Sequence, residues 1–397
     1  MLIKKSIDLL EKVKILGDAA KYDICLSSCI GKGRMRDPRN PYYKWIYPAS
    51  LPNGSVIPIF KVLLKNYCEK NCFYCINPVL KNRILTNFTP NELSRFFINL
   101  VKKRIVHGLF LSSGMGNDPN RTMEDMLKTV EIIRKKYRYY GYVHLKILPG
   151  VKYCYVEKAV ELANRVSINL EAPTKEKLNK IAPEKDFEND LIQKIKWVHS
   201  LIKKNPRGKS QTTQFVIGAS DETDYEILNT TYWLYREYNL WRVYFSAFQP
   251  IIGTPLEEHP PTNLLREHRL YQADFLIRYY GFSLKQFIFD KNGNLPLWLD
   301  PKMNWALNSP DKFPIEINNA NYEELIQVPG IGPKTAKKII IERKKFKFHS
   351  IEDLKNIGVI VKRALPFILI NGKSYSISKQ FKFNFINEES AFNFLIA

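Results

Sequence analysis

From residue 56 onward, short apolar segments alternate with longer amphipathic segments, and this alternation is what most limits the possible fold. A run of roughly four to eight apolar residues is typical of a buried strand, and apolar residues three and four apart are typical of a helix. Six strand–helix pairs follow one another: Val56–Leu64 with Glu92–Lys103, Gly108–Ser112 with Met123–Tyr137, Tyr142–Leu148 with Val156–Ala163, Val166–Leu170 with Leu191–Ile202, Thr213–Ile217 with Tyr225–Tyr238, and Arg242–Phe248 with Leu264–Tyr280. The pattern predicts an α/β fold with a parallel sheet. Because parallel crossovers are right-handed, the six units should curl into a partial (βα)6 barrel whose post-strand loops share one face.

The same pattern predicts how the chain is divided. Its 397 residues suit one large domain and a smaller one. The predicted parts are a helical and basic N-terminal extension (1–55), the partial barrel (56–280), a linker (281–314), a small all-α domain (315–372) and a tail (373–397). The extension should begin with a helix over Ile7–Leu16. The linker contains four prolines and lacks a clear periodicity, which is typical of a connecting segment.

The charge balance points to an anionic partner. The chain has 61 Lys and Arg against 39 Asp and Glu, a net charge of +22. This excess favours nucleic acid first and an anionic membrane surface second, and the alternative is a proteome that is lysine-rich throughout. The N-terminus mixes charges into its apolar positions, unlike a signal peptide, and no segment approaches the roughly 18 apolar residues of a membrane span. We therefore expect a cytoplasmic protein without a membrane segment.

Three of the six cysteines lie in one eight-residue window directly after the first strand, Cys68-Glu-Lys-Asn-Cys72-Phe-Tyr-Cys75. Six cysteines are too few for a disulfide scaffold in a chain of this length, which favours a reducing compartment and a metal site. A cluster of four irons normally takes four cysteines, so a loop with three leaves one iron with an open position. An open coordination position is where a metal centre performs chemistry. The window therefore predicts an iron–sulfur cluster.

A structural zinc site is the alternative. Such a site usually takes four Cys or His ligands in two pairs, and no second pair with suitable spacing lies near Cys68–Cys75. Cys25 and Cys29 lie in an irregular segment without a further ligand, and Cys154 is isolated. These three cysteines are predicted to be ordinary part-buried thiols.

The cysteine window resembles the hallmark of the radical S-adenosylmethionine (SAM) superfamily, C-x3-C-x-aromatic-C after the first strand of a partial (βα)6 barrel. The aromatic position is Tyr74, and the resemblance extends over residues 56–255. It implies a [4Fe–4S] cluster on Cys68, Cys72 and Cys75, whose fourth iron chelates the amine and carboxylate of SAM. One electron from a donor would then give methionine and a 5′-deoxyadenosyl radical, which abstracts hydrogen from a substrate.

The resemblance also implies a SAM-binding set: Tyr74, Ser112, Ser113, Gly114, Glu171 and Gly218. The turn Ser112-Ser113-Gly114 departs from the family's Gly-Gly-Glu, so only the backbone role towards the methionine amine carries over. Glu171, after the fourth strand, would meet the ribose hydroxyls, or it pairs structurally with a nearby lysine. Gly218 ends the strand on the adenine side, where glycine permits close approach. No catalytic residue is singled out by the sequence.

Residues 316–345 resemble a helix–hairpin–helix, the sequence-independent DNA-binding element of many repair proteins. A helix over Tyr322–Gln327 stops at Val328-Pro329, the glycines of Gly330-Ile331-Gly332 tolerate positive φ, and a second helix begins with Pro333. Backbone N–H groups at this helix start could bind a phosphate oxygen. The predicted DNA-binding residues are Gly330, Gly332, Lys334, Thr335 and Lys337, and a capped helix should follow near Ser350. The alternative is a hairpin that docks another protein.

The combination of barrel and hairpin resembles radical SAM proteins assigned to DNA modification or repair, which are paired with a partner similar to uracil-DNA glycosylases. The leading hypothesis is an enzyme that modifies or repairs DNA. An RNA-modifying radical SAM enzyme is the second hypothesis, since the same basic surface would serve structured RNA. The third is a non-catalytic iron–sulfur scaffold that binds DNA and recruits the glycosylase-like partner.

Overall fold

A computed structural model describes residues 7–20, 42–50, 55–77 and 84–375. Within these residues the first part of the chain forms a curled seven-stranded sheet with helices packed on it. The strands are β1 (Ile46–Ser50), β2 (Val56–Leu63), β3 (Gly108–Ser112), β4 (Tyr142–Lys146), β5 (Arg165–Ser167), β6 (Ser210–Ile217) and β7 (Arg242–Ala247). They follow in the order of the sequence, and β2 to β7 are parallel. The predicted partial barrel is confirmed.

The helices of this sheet begin where the sequence supplies caps. Thr89 and Glu92 form a reciprocal capping box at the start of α2, and Asp118 accepts from Asn120 N–H at the start of α3, which has proline in its first turn. The helices are α1 (Leu9–Ala20), α2 (Pro90–Lys102), α3 (Pro119–Glu131), α4 (Tyr153–Leu162), α5 (Lys175–Ile181), α6 (Gln193–Lys204), α7 (Asp224–Tyr238) and α8 (Leu264–Tyr280). A π-helical segment follows α3, over Ile132–Lys136, and another precedes α6, over Phe187–Ile192.

The edge of the sheet is formed by β1, which the sequence analysis assigned to an irregular basic stretch. This strand pairs antiparallel with β2, Ile46 opposite Phe60 and Ser50 opposite Val56. Helix α1 packs nearby, because the Trp45 indole N–H donates to the Asp18 carboxylate at 3.0 Å. The strand was missed because an antiparallel edge strand of five residues, one of them proline, lacks the long apolar run of a buried parallel strand.

Residues along each strand alternate between two environments. On β2, Phe60 and Val62 are fully buried, and the Phe60 ring lies 5.6 Å from the ring of Phe96 on α2. Leu63 on the opposite side of the strand lines a cavity on the concave face of the sheet. Successive side chains point to opposite sides, so Lys61 shares the concave face with Leu63. The core therefore lies between sheet and helices, and the concave face is left for a site.

The described chain divides into two compact units, and the division cuts through two helices. The first unit comprises residues 1–222 and 233–267, and the second comprises 223–232 and 268–397. In the second unit lie α9 (Pro301–Leu307), β8 (Ile315–Glu316), α10 (Tyr322–Gln327), α11 (Pro333–Glu342), α12 (Ile351–Asn356), α13 (Val361–Ala364), β9 (Ile368–Ile370) and β10 (Lys373–Ser374). The three very short strands form a small sheet beside the predicted helices.

The segment 281–314, predicted as a linker, is packed within the second unit. Its aromatic rings form an edge-to-face series in which Trp305 meets Phe282 at 5.4 Å and Phe313 at 5.5 Å. The first turn of α7 holds the same segment, because Asp224 accepts from Leu295 N–H at 2.9 Å. The prolines here interrupt regular secondary structure around buried aromatic side chains, so this unit begins earlier than the predicted boundary at residue 315. None of the described helices is long and apolar enough to cross a membrane.

Candidate functional site

The loop after β2 brings the three clustered cysteines to one cavity. Cys72 is buried and Cys68 and Cys75 are half-buried, and all three are free thiols lining a cavity of about 660 Å³. Backbone hydrogen bonds fix the loop: Phe73 N–H donates to the Ile181 carbonyl at 2.8 Å, and Cys75 N–H donates to the Cys72 carbonyl at 3.0 Å. The three thiols therefore lie together on the loop at the carboxyl end of β2, beside one cavity.

The chemistry of these thiols suits a positively charged iron–sulfur cluster. Burial raises the pKa of Cys72, and burial raises the pKa of Cys75 to about 12. Such thiols become thiolates only when a strong positive charge binds them. No group of His, Cys, Asp or Glu among the described residues is arranged to hold a single metal ion. A four-iron cluster takes one thiolate per iron and so accepts thiols that are further apart.

Cys154, the other cysteine in the described part of the chain, does not line this cavity. Cys154 is exposed, whereas the sequence analysis expected a part-buried thiol, because it lies in the first turn of α4. Cys25 and Cys29 lie outside the described residues.

The loop after β3 packs directly against the cysteine loop. Gly114 N–H donates to the Lys65 carbonyl at 2.8 Å, and Cys68 forms a parallel bridge with Gly116. A Cβ atom at Gly114 would collide with the carbonyl oxygen of Tyr67, so only glycine permits this approach of the two backbones. Ser112, Ser113 and Gly114 all line the cavity beside the cysteines.

A buried lysine joins the cysteine loop to the end of β5. Lys185 Nζ donates to Glu171 Oε1 and to the Tyr74 hydroxyl, each at 3.1 Å. The side chains of Lys185 and Glu171 are 8% and 6% exposed, so this ion pair is almost fully desolvated. Burial lowers the pKa of Lys185, but its interactions with the neighbouring Cys72 and Glu171 outweigh this effect, and the net shift is upward. Burial, followed by the charge of Glu171, raises the pKa of Tyr74, which therefore stays a neutral phenol.

Two features of the cavity were not anticipated. Lys185 follows α5 in a loop without a recognisable motif, so no pattern in the sequence marked it. Tyr47 of β1 and Ala19 of α1 also line the cavity, which means that the N-terminal extension contributes to the site. The pairing of Glu171 with a lysine is the structural alternative that the sequence analysis had left open.

Gly218 is placed differently from the other predicted SAM-binding residues. It follows β6 with φ +82°, and its N–H donates to the Glu222 carboxylate. Gln214 and Val216 of the same strand line the cavity, but Gly218 does not belong to the lining. A Cβ atom there would collide with the Thr262 side chain. Glycine is needed at position 218 because of its positive φ and its close approach to the Thr262 side chain.

The predicted hairpin lies in the second unit. Helix α10 begins with a capping box of Asn321 and Glu324, and α11 begins after Gly332 with Pro333 in its first turn. Gly330 has φ +85°, and its carbonyl accepts from Ile360 N–H at 3.0 Å. Gly332 has φ −104°, so the expectation that both glycines exploit positive φ is wrong for this position, which is the N-cap of α11.

The side chains of α11 separate into exposed and structural groups. Lys334, Lys337 and Lys338 are exposed, as the predicted phosphate contacts require. The half-buried Thr335 hydroxyl donates to the Gly358 carbonyl at 3.3 Å, in the turn between α12 and α13. The capped helix expected near Ser350 is confirmed: α12 follows a Ser350 N-cap.

A second buried lysine lies beneath the hairpin. Lys302 of α9 donates from Nζ to the Ile331 carbonyl at 2.6 Å, and the ammonium group lies 4.6 Å from the centre of the Tyr280 ring. Burial lowers the pKa of Lys302 to about 7, and the charge of Arg363 adds to this effect. The turn is therefore supported from inside the unit by a side chain far away in sequence.

Comparison with protein families decides what the first unit is. Residues 62–233 match the sequence model of the radical SAM superfamily, and residues 311–366 match that of the helix–hairpin–helix motif. The chain contains a radical SAM domain. The superfamily implies a [4Fe–4S] cluster and S-adenosylmethionine as cofactors, and reductive cleavage of SAM as their chemistry. The helix–hairpin–helix motif suggests binding of nucleic acid.

Solved structures with some similarity to the radical SAM domain and its surroundings are distant. The crystal structure of HydG, a maturase of the [FeFe]-hydrogenase, is 12% identical with a TM-score of 0.43, over 55% of this chain and 49% of HydG. The crystal structure of methylornithine synthase (PylB) is 15% identical with a TM-score of 0.45, over 69% of this chain and 74% of PylB. The chain thus spans about half the length of HydG. No curated protein matches the chain.

Proposed function

We propose that this chain is a radical SAM enzyme that modifies or repairs DNA. The observation that carries the proposal is the presence in one chain of a cysteine-lined radical SAM cavity and a helix–hairpin–helix with exposed lysines at its second helix. When bound, the cofactors supply a 5′-deoxyadenosyl radical, made by one-electron cleavage of SAM. The residues of the chain hold the cofactors, exclude water and admit the substrate.

Cys68, Cys72 and Cys75 hold three irons of the cluster in this proposal, and the fourth iron is left for SAM. Their shared cavity and their burial support this assignment, because a buried thiolate gains most from a bound positive charge. The backbone of Ser112–Gly114 meets the methionine part of SAM beside them. Its close packing on the cysteine loop fixes this backbone relative to the cluster ligands.

Glu171 orients the nucleoside part of SAM, with Lys185 and Tyr74 as positioning residues. The buried contacts of Lys185 with both side chains hold the carboxylate and the aromatic ring in one geometry. A carboxylate held in this way can accept hydrogen bonds from ribose hydroxyls. Gly218 contributes by shaping the end of β6.

The helix–hairpin–helix binds the DNA backbone through the start of α11. Residues 315–372 contain ten Lys and Arg and six Asp and Glu, which gives a net charge of +4. The N–H groups after Gly332 and the exposed Lys334 and Lys337 provide donors and charge for phosphate, and Thr335 secures the helix to the following turn. Phosphate contacts of this kind position DNA without reading its sequence.

The test measures 5′-deoxyadenosine formed by the reconstituted enzyme under reducing, anaerobic conditions. We expect damaged duplex or single-stranded DNA to stimulate formation more than intact duplex, because a stacked base must be extruded at a cost of a few kcal/mol. Structured RNA of similar charge should stimulate less. Stimulation by RNA alone would instead indicate an RNA-modifying enzyme. No cleavage with any nucleic acid from a fully loaded cluster would favour a non-catalytic scaffold.

A matched pair of variants ties this stimulation to the hairpin. Lys334→Ala should raise the DNA concentration needed for half-maximal stimulation and reduce its log–log salt dependence by about one unit. Lys291→Ala, which removes an exposed lysine outside the hairpin, should change neither. We further propose an electron donor that reduces the cluster and a partner similar to uracil-DNA glycosylases, which pull-down with the reconstituted enzyme would test.

A further inference from the structure

Two large aromatic side chains stand exposed beside each other on α8. Phe275 and Tyr279, the aromatic pair, are each 48% exposed and lie four residues apart, on one face of the helix. Their ring centroids are 4.6 Å apart, so they form one continuous surface. Single exposed apolar residues are common, but adjacent ones mark interaction sites. The aromatic pair is therefore a candidate contact surface of the second unit.

The aromatic pair is connected to the hairpin through the ring of Tyr280. This ring lies 5.8 Å from the ring of Phe275, and its hydroxyl lies 3.3 Å from the position that a Cβ atom at Gly332 would take. Lys302, which donates to the Ile331 carbonyl in the hairpin turn, lies 4.6 Å from the centre of the Tyr280 ring. Tyr280 is thus held against the turn, and the aromatic pair begins one ring away from the start of α11.

The charges near the aromatic pair orient one of its rings. Arg278 Nε donates to both carboxylate oxygens of the buried Asp274, at 3.1 and 3.0 Å, so its charge is compensated. The same guanidinium lies 4.7 Å from the centre of the Tyr279 ring and donates to the Tyr279 hydroxyl at 2.9 Å. Positive charge for a nucleic acid is instead provided by the exposed Lys334 and Lys337 of α11. The aromatic pair contributes ring surface, and the hairpin contributes charge.

A nucleobase is the partner that suits this combination. Aromatic side chains beside a positively charged surface are typical of sites for single-stranded nucleic acid, because the backbone follows the charge while bases stack on the rings. A base inside a duplex has both faces covered by its neighbours, so only an unpaired or extruded base can offer a face to a side chain. A strand whose phosphates lie at the start of α11 would have such bases close to Phe275.

We infer that the aromatic pair stacks an unpaired base of the DNA strand whose phosphates the hairpin holds. The inference deepens the proposed function, on which it rests, because it specifies single-stranded or damaged DNA as the form that the second unit prefers. Every base has an aromatic face, so this contact selects for an unpaired base and not for a sequence.

The test is fluorescence anisotropy of the cluster-reconstituted full chain with two labelled strands of equal length, an oligothymidylate and an abasic strand with the same number of phosphates. We expect the oligothymidylate to bind about 5- to 150-fold more tightly, which corresponds to about 1–3 kcal/mol for one stacked base. A strand that carries 5-bromouracil should also crosslink, on irradiation, to the peptide that contains the aromatic pair.

Variants of one ring separate stacking from general apolar contact. Phe275→Ala should remove most of the preference for the oligothymidylate and leave the affinity for the abasic strand unchanged, since alanine suits an exposed helix position. Phe275→Trp should keep the preference, whereas Phe275→Leu, which is apolar but has no aromatic face, should lose it. Tyr140→Ala removes a tyrosine of the first unit that is 77% exposed, and it should change neither affinity.

Several outcomes would overturn the inference. If the parent binds both strands equally, and Lys334→Ala weakens both, the hairpin binds phosphates but no base is stacked. If Phe275→Ala loses affinity for both strands alike, the ring supports the hairpin and does not contact a base. If Phe275→Ala keeps the full preference, the aromatic pair serves another occupant, such as a protein. If neither strand binds, the DNA-binding part of the proposed function fails as well, whereas SAM cleavage is judged separately because this assay needs no turnover.

Discussion

Replacing Gly330 or Gly332 by alanine should separate the stability of the hairpin from its affinity for DNA. Gly330 has φ +85°, and a Cβ atom there would lie 2.5 Å from the Ile360 carbonyl oxygen. The left-handed backbone costs alanine about 1–2 kcal/mol. Forcing an atom against main chain costs about 1–3 kcal/mol more, because neither side can rotate away. Gly330→Ala should therefore destabilise the second unit by about 2–5 kcal/mol.

Gly332→Ala is the matched control for folding. Its φ of −104° suits any residue, and the nearest atom to a new Cβ is the Tyr280 hydroxyl at 3.3 Å. Losing glycine at an N-cap costs under about 1 kcal/mol. The added methyl group, however, stands at the start of α11, where a phosphate would approach the N–H groups. We expect Gly332→Ala to weaken duplex binding while the unit stays folded.

Hydrogen exchange of the full chain, followed at the level of individual peptides, measures the local stability of the hairpin in both variants. Peptides covering 322–342 should exchange faster in Gly330→Ala than in the parent, and peptides of β3 and β4 should be unchanged. The midpoint temperature of thermal unfolding of this unit should fall by roughly 10 °C or more in Gly330→Ala, since a destabilisation of about 1 kcal/mol lowers it by about 4–8 °C in a small unit. The reasoning is refuted if Gly332→Ala destabilises the hairpin as much as Gly330→Ala.

Two further predictions concern the cluster and the second unit. Anaerobic assembly of a cluster of about four irons should be prevented by each of Cys68→Ala, Cys72→Ala and Cys75→Ala. Cys154→Ala should leave it unchanged. Metal analysis that finds one tightly bound zinc and no iron would contradict the ligand assignment. The pKa of Lys302 is lowered to about 7 in the folded protein. In the unfolded chain it is about 10.4, so between these two pH values the unfolded chain binds more protons than the folded protein. The free energy of unfolding should therefore rise with pH in this range. Urea unfolding between pH 6 and about 10 should show this rise, and Lys302→Met should remove it; an equal slope in both proteins would exclude Lys302 as its source.

The parts of the fold that sequence could predict are those with a repeating local cause. Alternation of strand and helix specified β2 to β7, and the cysteine spacing placed Cys68, Cys72 and Cys75 on one loop. Lys185 could not be predicted, because its role arises from contacts with residues 14 and 111 positions away in the chain. The packing of 281–314 was likewise hidden, since the prolines suggest a connector while Trp305 and its aromatic neighbours form a core only after distant segments meet.

The row of Lys61, His144 and Arg165 across the sheet gave a weak signal in the sequence. Lys61 and Arg165 interrupt strands that otherwise have many apolar residues, yet a single charge in a strand does not reveal which face it occupies. Only the register of neighbouring strands shows that Lys61, His144 and Arg165 form one row. The sign of φ at Gly332 was equally inaccessible, because an N-cap and a left-handed turn both accept glycine.

The division of the chain across α7 and α8 bears on how such a protein could arise. Residues 223–232 belong to the second unit although they lie between two strands of the sheet in sequence. A hairpin acquired by simple fusion at the end of a gene would leave the older barrel self-contained. Here the first part of α7 packs with the C-terminal segment, so swapping the C-terminal region between relatives as a cassette would leave one of its own parts behind.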